Sequence, residues 1–249
     1  MKVLVSGIHG FMGREVVALL NKQTGGHTLL CGVDMQTATG DTVPVYPAFS
    51  AVKEKPDCIV DFSHHSLTKE MMEYAVVTKT PIVVATTGQT AEEKEMIFSA
   101  AKEIPVFFSY NYSLGIAVLV ELAKKTAKAF PDAEIEIVEK HHDRKLDAPS
   151  GTAVMLVDAI KEVRPQAYAN VGRSGNGKRT PEEIGVHAVR MGNIVGVHEV
   201  MVSTQTQTIT LKHEAFTRAL FAEGALSALS FLEGKPAGLY TMADIVKEN

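Results

Sequence analysis

The stretch MKVLVSGIHGFMGREVVALLNK, residues 1–22, decides how the first half of the chain is read. Its apolar run Val3–Ser6 reads as a strand, and Met12–Lys22, with Val16, Val17, Leu19 and Leu20 on one side, reads as a helix. Between them lie Gly7, Gly10 and Gly13, spaced G-x-x-G-x-x-G. Glycines in such a strand-to-helix turn let the backbone approach a pyrophosphate, whose charge is then held by N–H groups at the helix start. On this reading Gly7, Gly10 and Gly13 line a bound dinucleotide. The turn is wider than G-x-G-x-x-G because His9 stands where a glycine would help, and a ligand-free turn carries the same local signature.

The alternation continues outward from this unit. Strands are expected at Leu29–Val33, Cys58–Phe62, Ile82–Ala85 and Val106–Phe108, and helices at Leu67–Val77 and Ala91–Lys102. Near-continuous apolar strands alternating with amphipathic helices are what a parallel sheet covered on both faces requires, so the fold class is α/β with a doubly wound parallel sheet. Asp34 ends the second strand, where a carboxylate accepts hydrogen bonds from the adenosine ribose. It also repels a 2′-phosphate, and Met35, not an arginine, follows it, so NADH is expected in preference to NADPH. Ala85, Thr86 and Thr87, and then Tyr110, Asn111, Tyr112 and Ser113, fall at the carboxyl ends of strands, the edge of an open sheet where ligands bind. Ordinary loop and cap chemistry suits those residue types equally well.

After Asn111 the rhythm changes. A long helix is expected over Leu114–Ala129, a strand over Glu134–Glu139, a helix over about Thr152–Val163, a loop over 171–182, and strands over Gly185–Val189, Ile194–Ser203 and Thr206–Lys212. Consecutive strands with short connections indicate an α+β domain with a mixed or antiparallel sheet. Residues Arg218–Leu232 read as a helix that rejoins the first domain. The expected division is 1–112 with 217–249 for dinucleotide binding, and a second domain inserted over 113–216.

The 249 residues, 45% hydrophobic and 22% charged, exclude a disordered or fibrous chain. A net charge of −4 gives no sign of a nucleic-acid partner. No apolar run approaches the roughly 18 residues of a membrane span, and the short amino-terminal run before Gly7 lacks signal-peptide form, so no membrane partner and a cytoplasmic location are expected. Cys31 and Cys58 sit in strand-like runs and read as small buried hydrophobes without a disulfide.

The densest chemistry lies in EIEIVEKHHDRKLDAPSGTA, residues 134–153. A Ser-Gly-Thr helix start leaves N–H groups to take a carboxylate, with Lys145 and His142 adding positive charge, while His141 titrates near neutrality and suits general acid work. A solvated charged turn is the plainer alternative. Adjacent histidines in extended backbone point to opposite sides and no zinc spacing is present, so no metal is expected.

The segment Glu139-x-His141-His142-x-x-Lys145-x-Asp147-Ala148-Pro149-Ser150-Gly151-Thr152-Ala153 resembles the signature of the dihydrodipicolinate reductases of bacterial lysine and diaminopimelate synthesis. The likeness extends to Gly7-x-x-Gly10-x-Met12-Gly13, Asp61-Phe62-Ser63, Ala85-Thr86-Thr87-Gly88, Asn111-Tyr112-Ser113-x-Gly115, Arg190-x-Gly192-x-x-Val195-Gly196-x-His198 and Arg218-x-x-Phe221-Ala222-x-Gly224-Ala225, nearly the whole chain. It implies reduction of a cyclic unsaturated imine dicarboxylate by NADH or NADPH in a homotetramer whose second domain, 113–216, serves substrate binding and oligomerisation. His141 would be the proton donor with Lys145 its cationic partner, His142, Gly151 and Thr152 would hold a substrate carboxylate, and Ile8, His9, Phe11 and Met12 would line the cofactor along with the glycines, Asp34, Ala85 to Thr87 and Tyr110 to Ser113. The rival readings are a dehydrogenase of another small dicarboxylate and a dinucleotide-binding sensor without turnover.

Overall fold

A computed structural model describes residues 1–36 and 40–248. Its first unit comprises Met1–Ser113 together with the described residues from Ala219 onward, and its second comprises Leu114–Arg218.

In the first unit the chain runs through β1 (Lys2–Ser6), α1 (Phe11–Asn21), β2 (Thr28–Val33), β3 (Val45–Tyr46), β4 (Cys58–Asp61), α2 (Thr68–Thr78), β5 (Ile82–Val84), α3 (Ala91–Ala100) and β6 (Pro105–Phe108). The second unit holds α4 (Leu114–Ala129), β7 (Glu134–His141), α5 (Gly151–Val163), β8 (Tyr168–Val171), β9 (Glu183–Arg190), β10 (Gly196–Ser203) and β11 (Thr208–Ala215). The chain then returns to the first unit with α6 (Ala219–Leu232), β12 (Gly238–Tyr240) and α7 (Met242–Glu248).

The first sheet has seven parallel strands in the order β3-β2-β1-β4-β5-β6-β12. Both faces are covered, so Val3, Leu4 and Val5 are all buried although they alternate sides. One face packs Leu4, Ile59, Ile82 and Val106 against Met71, Met72 and Ala75 of α2 and Ile97 of α3, while α1 and α6 pack together on the other. Cys31 and Cys58 are buried free thiols.

The second sheet, β11-β10-β7-β9-β8, is mixed. β7 pairs parallel with β9 and antiparallel with β10. Ile135, Ile137, Ile184, Val186, Val200 and Val202 face α4 and α5. Arg164, just past α5, donates to the carbonyls of Ala127, Phe130 and Ala133 and so ties down the end of α4. Among the described residues no helix is long and apolar enough to cross a membrane.

Four short elements escape a sequence reading: β3, β8, β12 and α7 have two to seven residues and too little periodicity to signal themselves. The expected strand over Glu134–Glu139 runs on to His141, because Lys140 and His141 pair with Val189 and Arg190 of β9.

Where α6 re-enters the first unit, a Cβ on Gly224 would stand 1.6 Å from the carbonyl oxygen of Tyr112. Gly224→Ala is therefore expected to lower the urea unfolding free energy by about 3 kcal/mol or more. Gly177→Ala, at a site with open space around it, should change it by no more than about 0.5 kcal/mol. Equal urea midpoints for the two variants would contradict the packing argument.

Candidate active site

The carboxyl edge of the first sheet carries a cleft of about 560 Å³, lined by Phe11, Met12, Phe62, Ser63, His64, Ala85, Thr86, Thr87, Tyr110, Asn111, Tyr112 and Phe221. These residues follow β1, β4, β5 and β6 or open α6, and the strand order reverses between β1 and β4, where doubly wound sheets hold their ligands. The glycine turn that leads into it is built for close approach. Gly7 has φ +75°, and a Cβ there would lie 2.6 Å from the carbonyl oxygen of Phe62. A Cβ on Gly13 would lie 2.0 Å from the carbonyl oxygen of Gly7. Gly10 is the N-cap of α1 and, having no side chain, leaves the first turn without a side-chain cap. That set of absent side chains and uncapped N–H groups fits a dinucleotide pyrophosphate.

The remaining expected cofactor residues are placed unevenly. Ile8 is buried, its side chain lying where a Cβ on Gly32 would go, so its contribution to a ligand is confined to its backbone. Tyr112 is buried as well, and its hydroxyl donates to the carbonyls of Val84 and Phe107. Ser113 is buried, and its N–H donates to Asn111 Oδ1. Asp34 accepts from the N–H groups of His9 and Gln36, at 3.1 and 3.0 Å, which holds the second loop against the glycine turn. The His9 ring lies 3.0 Å from Asp41 and 3.9 Å from Asp34, and hydrogen bonding to Asp41 raises its pKa despite some burial.

Sequence reasoning did not assign His64 or Phe221 to the site. His64 follows β4 and stacks on His65, with ring centroids 4.3 Å apart, while His65 is held at 3.0 Å by Glu93 in the first turn of α3. The signal available was position alone, two and three residues past the end of an apolar strand. Phe221 carried no local signal, since it follows the whole second unit. Below the cleft Asp61 is fully buried. Burial pushes its carboxyl up, against donors on Ser63, Thr86 and Ser6 that pull it down.

In the second unit β7 delivers His141 to the end of the sheet. Glu139, two residues earlier on the same face, is wholly buried and its carboxylate is surrounded by donors. Nδ1 of His141 lies 2.6 Å from Oε2, Arg190 of β9 donates to both oxygens at 2.8 and 2.6 Å, and the N–H of Ser150 donates to Oε1 at 2.9 Å. Burial alone would raise the Glu139 pKa, but these partners outweigh it and the group lies below the usual carboxylate range. Ser150 is also the N-cap of α5, its hydroxyl accepting from the N–H of Ala153. That hydroxyl sits 3.1 Å from Nε2 of His198, whose ring meets His141 edge-on at 5.1 Å.

Burial lowers the pKa of His141, with Lys145 and Arg190 acting the same way and Glu139 opposing them. Lys145 pairs with Asp147 at 2.9 Å, a partner the sequence reading did not anticipate, and its N–H donates to the carbonyl of His142. Nδ1 of His142 is buried and has no hydrogen-bond partner among the described residues. Gly151 opens α5 at a place where a Cβ would meet no atom of the described residues within 4 Å, and Thr152 follows it in the first turn. His141, His142, Lys145, Gly151 and Thr152 therefore share one end of the second unit. Among the described residues no three His, Cys, Asp or Glu side chains are grouped to hold a metal.

Two family models match the chain in succession: that for dihydrodipicolinate reductase, N-terminus, over residues 1–112, and that for dihydrodipicolinate reductase, C-terminus, over residues 115–246. The chain is 46% identical to a 4-hydroxy-tetrahydrodipicolinate reductase of Caldanaerobacter subterraneus subsp. tengcongensis, covering 100% of this chain and 99% of the relative. It is 40% identical to one of Clostridium tetani, over 97% and 95%. Among solved structures, a dipicolinate-bound dihydrodipicolinate reductase from Paenisporosarcina sp. TG-14 superposes with a TM-score of 0.83 at 25% identity, over 98% of this chain and 99% of that one.

Burial drives the His198 pKa down to about 4, helped by neighbouring His141. The unfolded chain takes up this proton near pH 6.5 and the folded chain only near about 4, so stability falls as the pH is lowered through that window and levels off below it. His27, His141 and His213 are shifted in the same direction. Urea titrations should show a loss of about 3 kcal/mol from His198 alone, and His198→Gln should flatten the profile. An unchanged slope in that variant would remove His198 as a source.

Proposed function

The chain belongs to the dihydrodipicolinate reductase family, and on that footing we propose how its two units divide the work. Its reaction is the NAD(P)H-dependent reduction of a cyclic unsaturated imine dicarboxylate to tetrahydrodipicolinate, in lysine and diaminopimelate biosynthesis. The observation that carries the assignment of roles is the clustering at the end of β7: a titratable imidazole fixed by a buried carboxylate, a lysine, and the start of α5.

When bound, the dinucleotide supplies the hydride. The glycine turn, Gly7 to Gly13, would hold its pyrophosphate at the first turn of α1; Asp34 would accept from the ribose hydroxyls; and Ala85 to Thr87 with Tyr110 to Ser113 would line its nicotinamide half. Asp34 engages His9 and Gln36 through one hydrogen bond on each oxygen, and a carboxylate retains further acceptor capacity. Its negative charge supports a preference for NADH over NADPH.

His142, Gly151 and Thr152 hold a ring carboxylate, using the N–H groups at the start of α5. Dipicolinate in the Paenisporosarcina enzyme is a ring dicarboxylate of this kind. A carboxylate of that ligand competes with Asp147 for Lys145, leaving the ammonium beside the reacting ring. Reduction leaves negative charge on the ring nitrogen and an adjacent carbon; His141 delivers the proton that quenches it, and Lys145 keeps the site electropositive. The dianionic ligand draws the His141 pKa back up from its depressed value.

A homotetramer fits the second unit, since α4 and α5 cover only one face of its sheet and the other presents Val138, Val189 and Met201 among ion pairs such as Lys140–Glu199. A biosynthetic reductase of this type works in the cytoplasm.

His141→Gln is expected to lower kcat on enzymatically generated imine by about 100- to 10,000-fold, leaving the dissociation constant for NADH, read by fluorescence, unchanged. Full turnover by the folded variant would end the proton-donor role. In the same assay kcat/KM should favour NADH over NADPH, and Asp34→Ala should narrow that ratio. A ratio that Asp34→Ala does not move would overturn the Asp34 assignment.

A further inference from the structure

We infer that Glu139 is a positioning residue for the reduction: it holds Nδ1–H of His141 and thereby presents Nε2 as the atom that gives up the proton. The inference rests on the reading of His141 as proton donor.

The geometry has three parts. Glu139 is ionised in the folded chain, because its two oxygens take hydrogen bonds from Nη1 and Nη2 of Arg190, from the N–H of Ser150 and from His141. An ionised carboxylate only accepts, so the 2.6 Å contact requires a proton on Nδ1 of His141. Neutral His141 consequently carries its lone pair on Nε2, and the imidazolium carries there the one proton it can release without breaking the bond to Glu139.

The surroundings of Nε2 agree with that role. It faces Gly196 of β10, where an added Cβ would lie 3.2 Å from Nε2 and 3.5 Å from Cδ2, so the missing side chain keeps that ring edge uncrowded. The charged and titratable groups around the ring are Glu139 on β7, Arg190 on β9, His198 on β10 and Lys145 on the following loop. Arg190 and Lys145 disfavour a second positive charge, and His198, whose pKa is held down to about 4, stays neutral and adds none near pH 7. Among these groups Glu139 is the negative one, and it favours the imidazolium. In the proton step the Nε2–H bond breaks, the pair stays on nitrogen, and the proton goes to the ring atom made basic by hydride addition, with Nδ1–H on Glu139 throughout.

The arrangement differs from a plain structural ion pair in what its loss does. Glutamine at position 139 keeps size and shape but lacks the charge, and its amide nitrogen can donate to Nδ1, which selects the opposite tautomer. A wrong tautomer with intact geometry costs about 10,000-fold in the Ser-His-Asp triad of serine proteases.

Three measurements on the full chain test this. In the unsubstituted enzyme near pH 7.5, ring 15N NMR with the His141 signal assigned by its loss in His141→Gln should show Nδ1 protonated and Nε2 bare; the reverse pattern overturns the inference, and this reading needs no Glu139 variant to fold. In Glu139→Gln, kcat should fall about 100-fold or more, and the alkaline limb of the kcat profile should move toward acid by about one unit or more, with NADH affinity unchanged. A limb at its original pH overturns the positioning role even if activity is low. Finally, Glu139→Gln with His141→Gln should be no slower than His141→Gln alone, since both act through one ring; a further large loss overturns the inference. Full turnover by His141→Gln would instead remove the proton-donor reading itself, which separates the two failures.

Discussion

Parallel strands are joined only by crossovers, so every connection leaving a strand of the first sheet starts from the same edge. That constraint gathers the glycine turn, Phe62 to His64, Ala85 to Thr87 and Tyr110 to Tyr112 into one cleft although they lie up to a hundred residues apart. The edge is held together by backbone contact as much as by side chains. Gly7 passes so close to Phe62, and Gly13 so close to Gly7, that a methyl group at either place would collide with a carbonyl. The turn beside the cleft closes this tightly because those side chains are missing.

The second unit solves a different problem, that of placing a charged group in an apolar interior. An isolated buried carboxylate is costly, and Glu139 is tolerated because β9 supplies a fork of donors, the start of α5 supplies an N–H and His141 supplies another. The segment from Glu139 to Ser150 and Arg190, 51 residues beyond Glu139, meet on that one group. Whatever they contribute to stability, they also give a single orientation to the imidazole and a fixed start to α5.

Much of this was legible in residue order. The strand–glycine–helix pattern of residues 1–22 and the alternation after it gave the doubly wound sheet, because apolar runs between amphipathic helices have few other uses. The segment from His141 to Thr152 announced a polar site by its composition, and its likeness to a reductase signature supplied the reaction. What escaped was what periodicity cannot carry. β3, β12 and β8 are too short to show a pattern, and the extension of β7 to His141 depends on a neighbouring strand fifty residues later. The roles of Glu139, Arg190 and Phe221 are tertiary: each looks like an ordinary strand or helix residue until its partners are in place. Ile8 and Tyr112 show the converse, since positions on a ligand-binding turn can spend their side chains on the core.

The return of α6 and β12 to the first unit bears on how the polypeptide is made. Both come after residue 218, yet β12 supplies an edge strand and α6 packs on α1. During synthesis from the amino terminus, the dinucleotide half therefore waits, with one flank of its sheet bare, until the entire intervening module has left the ribosome. That module, contiguous in sequence, is free to fold first, and the earlier-made portion is finished last.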